Sequence, residues 1–432
     1  MMRLRQRLLW RMVQTGAKGL GQYGTVFLVG FFYDPATFGQ YGVFFALLSL
    51  FRLVGDFGFS KSIVREIAGA SETGSLSRAV SVTSTVQVGA LLLLLIVYGA
   101  LSGPVVLPML DSERLTIVLG LYLLTMLAQV YWESVLWGLE EFRTLGLWSL
   151  SLHSVGFGTK AAFAYRQLDI DAILGVDIVT QGLFAAWFVW SFARHGRLRS
   201  PTLVRLIRPG HFRGEAKRYL RYSALIGLSG VLFFLYTRID ILVLRAYHGL
   251  ASVGTLSLAV QIFEVPLFLG TIVSSVFLPR FSALCSSDNN VSVVRTFVQG
   301  AGMIGAIMVA SACMLFFGTA AVVEGYFPLY AESVPLVRTL APLLLVKGFG
   351  QFCSGAFLVG IGRADIMLKA NLVGGIANVI GDFLVVERFG PTGVVWVTVI
   401  VHAGVLVYTI ARASSIVLAV RAQTLQLGEE RT

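Results

Sequence analysis

The chain has 432 residues, 56% of them hydrophobic and only 13% charged, with a mean hydropathy of +0.79. Soluble domains carry about a quarter charged residues, so a water-soluble globular protein is excluded. The net charge of +11 does not point to a nucleic-acid partner, because the basic residues collect in short loops between apolar stretches, as the orientation of a membrane protein requires.

From the N-terminus onward, apolar runs recur that are long enough to cross ~30 Å of hydrocarbon as helices. The alternating ten-residue segments of a membrane β-barrel are absent, and the fold class is all-α. The opening MMRLRQRLLWR resembles a signal peptide only superficially. Arg11 and Lys18 interrupt the run that follows and no small-residue cleavage site is reached, so this segment reads as a retained first helix. Twelve membrane helices are expected, in the first half at roughly 10–33, 38–60, 81–102, 115–138, 145–165 and 170–193. The second half gives roughly 222–246, 252–279, 296–317, 334–360, 370–387 and 391–413.

The loops between these spans alternate in charge. One set, which includes both termini and the nine cations from Arg194 to Arg221, holds 24 of the 34 Lys and Arg. The other set, Arg114, Arg166, Arg245, Arg338 and Arg388, holds five. This asymmetry puts both termini and the 194–221 segment in the cytoplasm and residues 34–37 outside. Trp10, Trp137 and Trp190 fall near expected cytoplasmic helix ends, where interfacial anchors belong.

Residues 194–221 form the longest hydrophilic stretch and lie mid-chain. They read as a basic linker between a six-helix lobe at 1–193 and a second at 222–432, with a charge suited to anionic headgroups. A weak repeat agrees with two lobes. A shift of 215 positions superposes Gly39 on Gly254, Gly55 on Gly270, Ser60 on Ser275 and Arg65 on Arg280. Lobes of six helices each would run parallel, related by an axis along the membrane normal.

Three cysteines (Cys285, Cys313, Cys353) without CxxC spacing and five scattered histidines form neither a disulfide framework nor a metal site. No cofactor is expected.

Three segments carry a family resemblance. Residues 34–66 contain Phe38-Gly39-Gln40-Tyr41, then Asp56-Phe57-Gly58-Phe59-Ser60, then Val64-Arg65-Glu66. WGLEEFR spans 137–143, and TRIDILVL (237–244) is followed by LPRFS (278–282). In this order and spacing they resemble the polysaccharide flippases that move lipid-linked O-antigen and exopolysaccharide repeat units. These belong to the superfamily that also holds multidrug exporters and lipid II flippases. The resemblance implies a non-enzymatic transporter of the cytoplasmic (inner) membrane, with two helical bundles facing a central cavity and alternating access. It also implies a polyprenyl-pyrophosphate-linked oligosaccharide as substrate, with membrane lipids and the glycosyltransferases or polymerase of the same pathway as partners. Lys18 stands where some relatives carry arginine.

Eleven ionisable residues fall inside the expected spans: Lys18, Arg52, Asp56, Glu133, Lys160, Asp177, Arg238, Asp240, Glu264, Lys347 and Asp382. A charge facing lipid at mid-depth costs on the order of 2.5–3.5 kcal/mol, so these should face a cavity or one another. A pyrophosphate in a low-dielectric setting needs cationic partners, which makes Lys18, Arg52, Lys160, Arg238 and Lys347 the candidate substrate contacts. Arg52 and Asp56 share a helix face, so a purely structural pair is the competing reading there. Asp177, Glu264 and Asp382 are candidates for ion coupling, since burial makes a carboxylate a natural proton site. Glycines 16, 19, 21 and 24 around Lys18 suit close helix packing. Tyr23, Tyr41 and Tyr236 could stack on sugar rings, though core packing is the commoner use of any one of them. Two rivals remain. A multidrug exporter would favour an acidic, aromatic cavity. An embedded glycan polymerase or ligase would need a large outer loop, and the longest one here, about 318–333, holds only Glu324 and Glu332 as acids.

Overall fold

The structure, a computed structural model, describes residues 4–68, 73–194, 213–286, 290–358, 361 and 363–429. Most of the basic linker, 195–212, lies outside the described residues. Among the described residues every regular element is helical. The first half holds α1 (Leu4–Phe32), α2 (Pro35–Asp56), α3 (Phe59–Ala68), α4 (Thr73–Leu101), α5 (Glu113–Gly138), α6 (Phe142–Tyr165) and α7 (Ile170–Arg194). The rest holds α8 (Arg213–Thr237), α9 (Ile239–Tyr247), α10 (Leu250–Ser286), α11 (Asn290–Tyr326), α12 (Ser333–Leu340), α13 (Leu343–Phe352) and α14 (Ala364–Glu429). A π-helical turn, Ser102–Val106, carries α4 on into a last turn, Leu107–Leu110.

Eight helices among the described residues are long and apolar enough to cross a membrane. A ninth crossing is the pair α12 and α13, bent by 49° and prolonged to Leu358. The apolar part of α14 runs 55 residues, about 80 Å of helix and far more than one bilayer needs. It divides at Gly390, whose φ of 53° breaks the helix just before Pro391, and so supplies two crossings. Helices α1 and α6 match the others in length but carry Arg11, Lys18, Arg143 and Lys160. With them the chain is a multi-pass membrane protein of about twelve crossings. On α4, Leu92, Leu93, Leu95 and Ile96 are exposed, a surface suited to lipid.

Helix boundaries follow local chemistry. The Asp34 carboxylate accepts from the amides of Ala36 (2.8 Å) and Thr37 (3.1 Å) and from the Thr37 hydroxyl (2.8 Å), and Pro35 opens α2. Burial alone would raise the Asp34 carboxyl, but the hydrogen bonds from Thr37 and Ala36 outweigh it and hold the group below the ordinary carboxylate range. The expected span 38–60 stops at Asp56 instead, because Phe57 and Gly58 both take positive φ (26° and 79°). Asp56 then caps α3, accepting from the Ser60 amide (2.8 Å) and hydroxyl (3.0 Å). The expected span 222–246 is likewise broken, at Arg238 (φ −139°). Arg238 and Asp240 therefore flank a helix start and do not share a regular helix.

Packing divides the chain into two compact units, Met1–Phe234 and Leu235–Thr432. The division falls after Phe234, later than the 222 expected from hydropathy. The reason is α8, whose early residues pack on α3. Tyr219 stacks on Phe59 at 5.7 Å, and the Ser223 hydroxyl donates to Ser62 at 2.8 Å. Within the first unit, α1 and α6 lie close because glycines admit large side chains. A Cβ at Gly24 would come within 2.8 Å of Phe157, one at Gly146 within 2.7 Å of Trp10, and one at Gly21 within 3.3 Å of His153. Gly16 has open space instead. An aromatic core of Phe59, Tyr131, Phe184, Phe188 and Tyr219, with Trp132, Trp148 and Trp187 against it, joins α3, α5, α7 and α8. Of the cysteines, Cys353 is buried, as packing requires, while Cys313 is exposed.

Candidate functional site: a polar cavity in the first unit

Five helices of the first unit each turn one polar stripe inward. The spacing is helical: Lys18, Gln22 and Thr25 on α1; Tyr41, Ser49 and Arg52 on α2; Gln129 and Glu133 on α5; His153 and Lys160 on α6; Asp177 and Gln181 on α7. Residues at i, i+4 and i+7 share a helix face, so polar groups at these intervals in apolar spans converge when the helices pack. They enclose a cavity of about 310 Å³. Ligand pockets run from about 300 to 1,000 Å³, so this one suits a headgroup or a single ring.

Three cations line it, and each faces a carboxylate. Lys18 Nζ hydrogen-bonds Glu133 Oε2, across 115 residues of sequence. Gln129 Nε2 donates to the other Glu133 oxygen at 2.8 Å. Lys160 Nζ contacts Asp177 Oδ1 at 2.6 Å and donates to the Thr25 hydroxyl at 3.2 Å. The Lys160 side chain is 7% exposed and that of Asp177 17%, so this pair is nearly dry. Arg52 differs. Its side chain is 45% exposed, and its nearest acid, Asp56, stands 3.7 Å away with both oxygens already engaged by Ser60. Asp56 does not line the cavity. The lining therefore carries three cations against two carboxylates, with His153 between the lysine pairs.

Of the five candidate substrate contacts, Lys18, Arg52 and Lys160 come together here. Arg238 and Lys347 belong to the second unit. Arg238 pairs with Glu264 at 3.4 Å, and the Lys347 ammonium lies 5.1 Å from the Phe263 ring centroid. Asp240, buried beside them, accepts from the Ile241 amide at 2.9 Å. Of the three ion-coupling candidates, Asp177 and Glu264 are each held by a cation. Asp382 is fully buried and accepts from Asn378 Nδ2 at 3.3 Å, while its Oδ1 and the Asn378 Oδ1 have no hydrogen-bond partner among the described residues. Tyr41 lines the cavity, whereas Tyr236 stacks on His402 at 4.0 Å. Sequence reasoning expected Glu133 to face a cavity or another charge without naming its partner, and gave no role to His153, Gln129 or Gln181. Their signal was the repeat of polar residues four and seven apart within apolar helices.

The family described as "Polysaccharide biosynthesis protein" matches residues 4–285, which include every residue of this cavity. The chain belongs to that family. Among curated proteins, this chain is 24% identical over 352 residues to the lipopolysaccharide biosynthesis protein WzxC of Escherichia coli (strain K12). That match takes in 78% of this chain and spans about two thirds (66%) of the relative's length. Solved structures share the fold. The lipid II flippase MurJ in an inward closed conformation matches with a TM-score of 0.71 at 14% identity, over 97% of this chain and 91% of MurJ. An inward-facing multidrug resistance transporter of the MATE family matches at 0.67 and 16% identity, over 95% and 99%.

Proposed function

We propose that this protein flips polyprenyl-pyrophosphate-linked oligosaccharides across the cytoplasmic membrane for cell-surface polysaccharide synthesis. The observation that carries this reading is the cationic excess in the first-unit cavity. A pyrophosphate moving through low-dielectric surroundings needs several moderate cationic contacts, which must release it again. Arg52 is the readiest contact, being the least committed to an acid, with Lys18 and Lys160 joining it. Arg238 and Lys347 are further candidate contacts, within the second unit. Gln22, Gln129, Gln181 and Tyr41 supply amide and phenol groups for sugar hydroxyls, while the polyprenyl tail stays in lipid. The family membership and the kinship with WzxC support the same reading.

Among the ion-coupling candidates, Asp382 fits best, as a buried carboxylate that has an oxygen without a partner, and no bonded cation, among the described residues. Asp177 and Glu264 are second to it, because each would first have to leave its cation. The loop charges support cytoplasmic termini. The MATE-like fold keeps a multidrug exporter as the second reading, but a cavity with more cations than acids is poorly suited to cationic drugs. The test is complementation. In cells lacking their own O-antigen flippase, this chain should restore surface polysaccharide and clear lipid-linked repeat units from the inner leaflet. Drug resistance gained without any polysaccharide restored would reverse the assignment.

A further inference from the structure

The two lysine–carboxylate pairs of the cavity have a consequence for the empty protein. Lys18 and Lys160 extend from α1 and α6, while Glu133 and Asp177 come from α5 and α7, so neither pair is a contact within one helix. All four side chains are at most 36% exposed, and Lys160, Asp177 and Glu133 are at most 17% exposed. A cation so placed without a counter-charge is costly, because water reaches it poorly. Substrate phosphate supplies that counter-charge on the loaded stroke, and something else must supply it on the empty return.

We propose that Glu133 and Asp177 are built-in stand-ins for the substrate anion. They neutralise Lys18 and Lys160 when the cavity is empty, and so permit the unloaded protein to reorient. This rests on the anion-binding role proposed for the cavity. When pyrophosphate arrives it takes the lysines, and each carboxylate keeps a second contact. Gln129 Nε2 holds Glu133 at 2.8 Å, and Tyr122 and Gln181 adjoin Asp177 on the cavity wall. When pyrophosphate leaves, the carboxylates close back on the lysines. Arg52 needs no stand-in, since its exposed guanidinium is reached by water. Glu133 and Asp177 are thus positioning residues that act through the lysines, and their loss should slow the return step selectively.

The test separates net movement from exchange in proteoliposomes, using a fluorescent polyprenyl pyrophosphate as probe. Net flipping needs the empty return; exchange against unlabelled polyprenyl pyrophosphate on the far side does not. In the double variant Glu133→Gln with Asp177→Asn, net flipping should fall by at least ~10-fold, since stranding a buried charge adds more than the 1.4 kcal/mol that makes a tenfold rate change. Exchange should persist, and the probe should bind more tightly. Net flipping and exchange falling together, or neither falling, would overturn the proposal. A second variant guards against misfolding: Glu133→Asp with Asp177→Glu keeps both counter-charges beside the intact lysines, so net flipping should be largely retained. A loss of net flipping in this charge-conserving variant as deep as in the Gln/Asn variant would also overturn it. Wild type that moves the probe in neither assay would instead remove the anion-transport reading on which the proposal stands.

Discussion

Arg52 and Asp56 sit one helical turn apart, yet their surroundings give them different tasks. Asp56 spends both oxygens on Ser60 and so caps α3, whereas Arg52 extends into the cavity. Removal of the cap in Asp56→Ala should therefore cost about 1 kcal/mol of stability, read as a lower melting temperature. Arg52→Ala should leave melting unchanged and stop surface polysaccharide production. The double variant should be inactive as well as less stable. Restored production in the double variant would make Arg52 a mere counter-ion. The sequence showed that Lys18, Arg52 and Lys160 were too expensive to face lipid. It could not show that Lys18 meets Glu133, because a contact across 115 residues depends on which helices become neighbours. Helical spacing orders polar groups along one helix and is silent about the helix opposite.

At the scale of elements, the Asp56-Phe57-Gly58-Phe59-Ser60 motif is a hinge that turns the chain from α2 into α3. Gly58 has φ 79°, and a Cβ there would lie 2.5 Å from the Ser223 carbonyl oxygen on α8. Gly58→Ala should cost about 1–3 kcal/mol through backbone strain alone, and the clash adds to it. Gly16→Ala is the matched control: that site has open space within α1, so helix propensity should make the change neutral or stabilising by up to about 1 kcal/mol. Thermal unfolding in detergent distinguishes the two, and equal losses would contradict this account of the motif. The helices themselves were legible from hydropathy. Their interruptions at Gly58 and Arg238 were not, because hydropathy averaged over a span reads through a break of a few residues between apolar flanks.

For the whole molecule, hydropathy gave the count of about twelve crossings, but only packing put the division after Phe234. Composition reports where the chain turns hydrophilic, and says nothing of α3 waiting to receive Tyr219 and Ser223. Loop charge leads to a topology prediction. In a cysteine-free background, single cysteines at Thr37 and Ser200 should label from opposite sides with an impermeant reagent, and labelling from one side would contradict cytoplasmic termini. The central claim is that a cationic cavity carries a lipid-linked sugar pyrophosphate. Its most direct test is reconstitution of the purified protein into liposomes, with movement of a polyprenyl-pyrophosphate-linked oligosaccharide between leaflets followed beside uptake of an organic cation dye. The account predicts that the glycolipid moves, that Lys18→Ala and Arg52→Ala abolish the movement while Lys18→Arg retains it, and that the dye is not transported. Dye transport without glycolipid movement, or glycolipid movement indifferent to both cations, would contradict it.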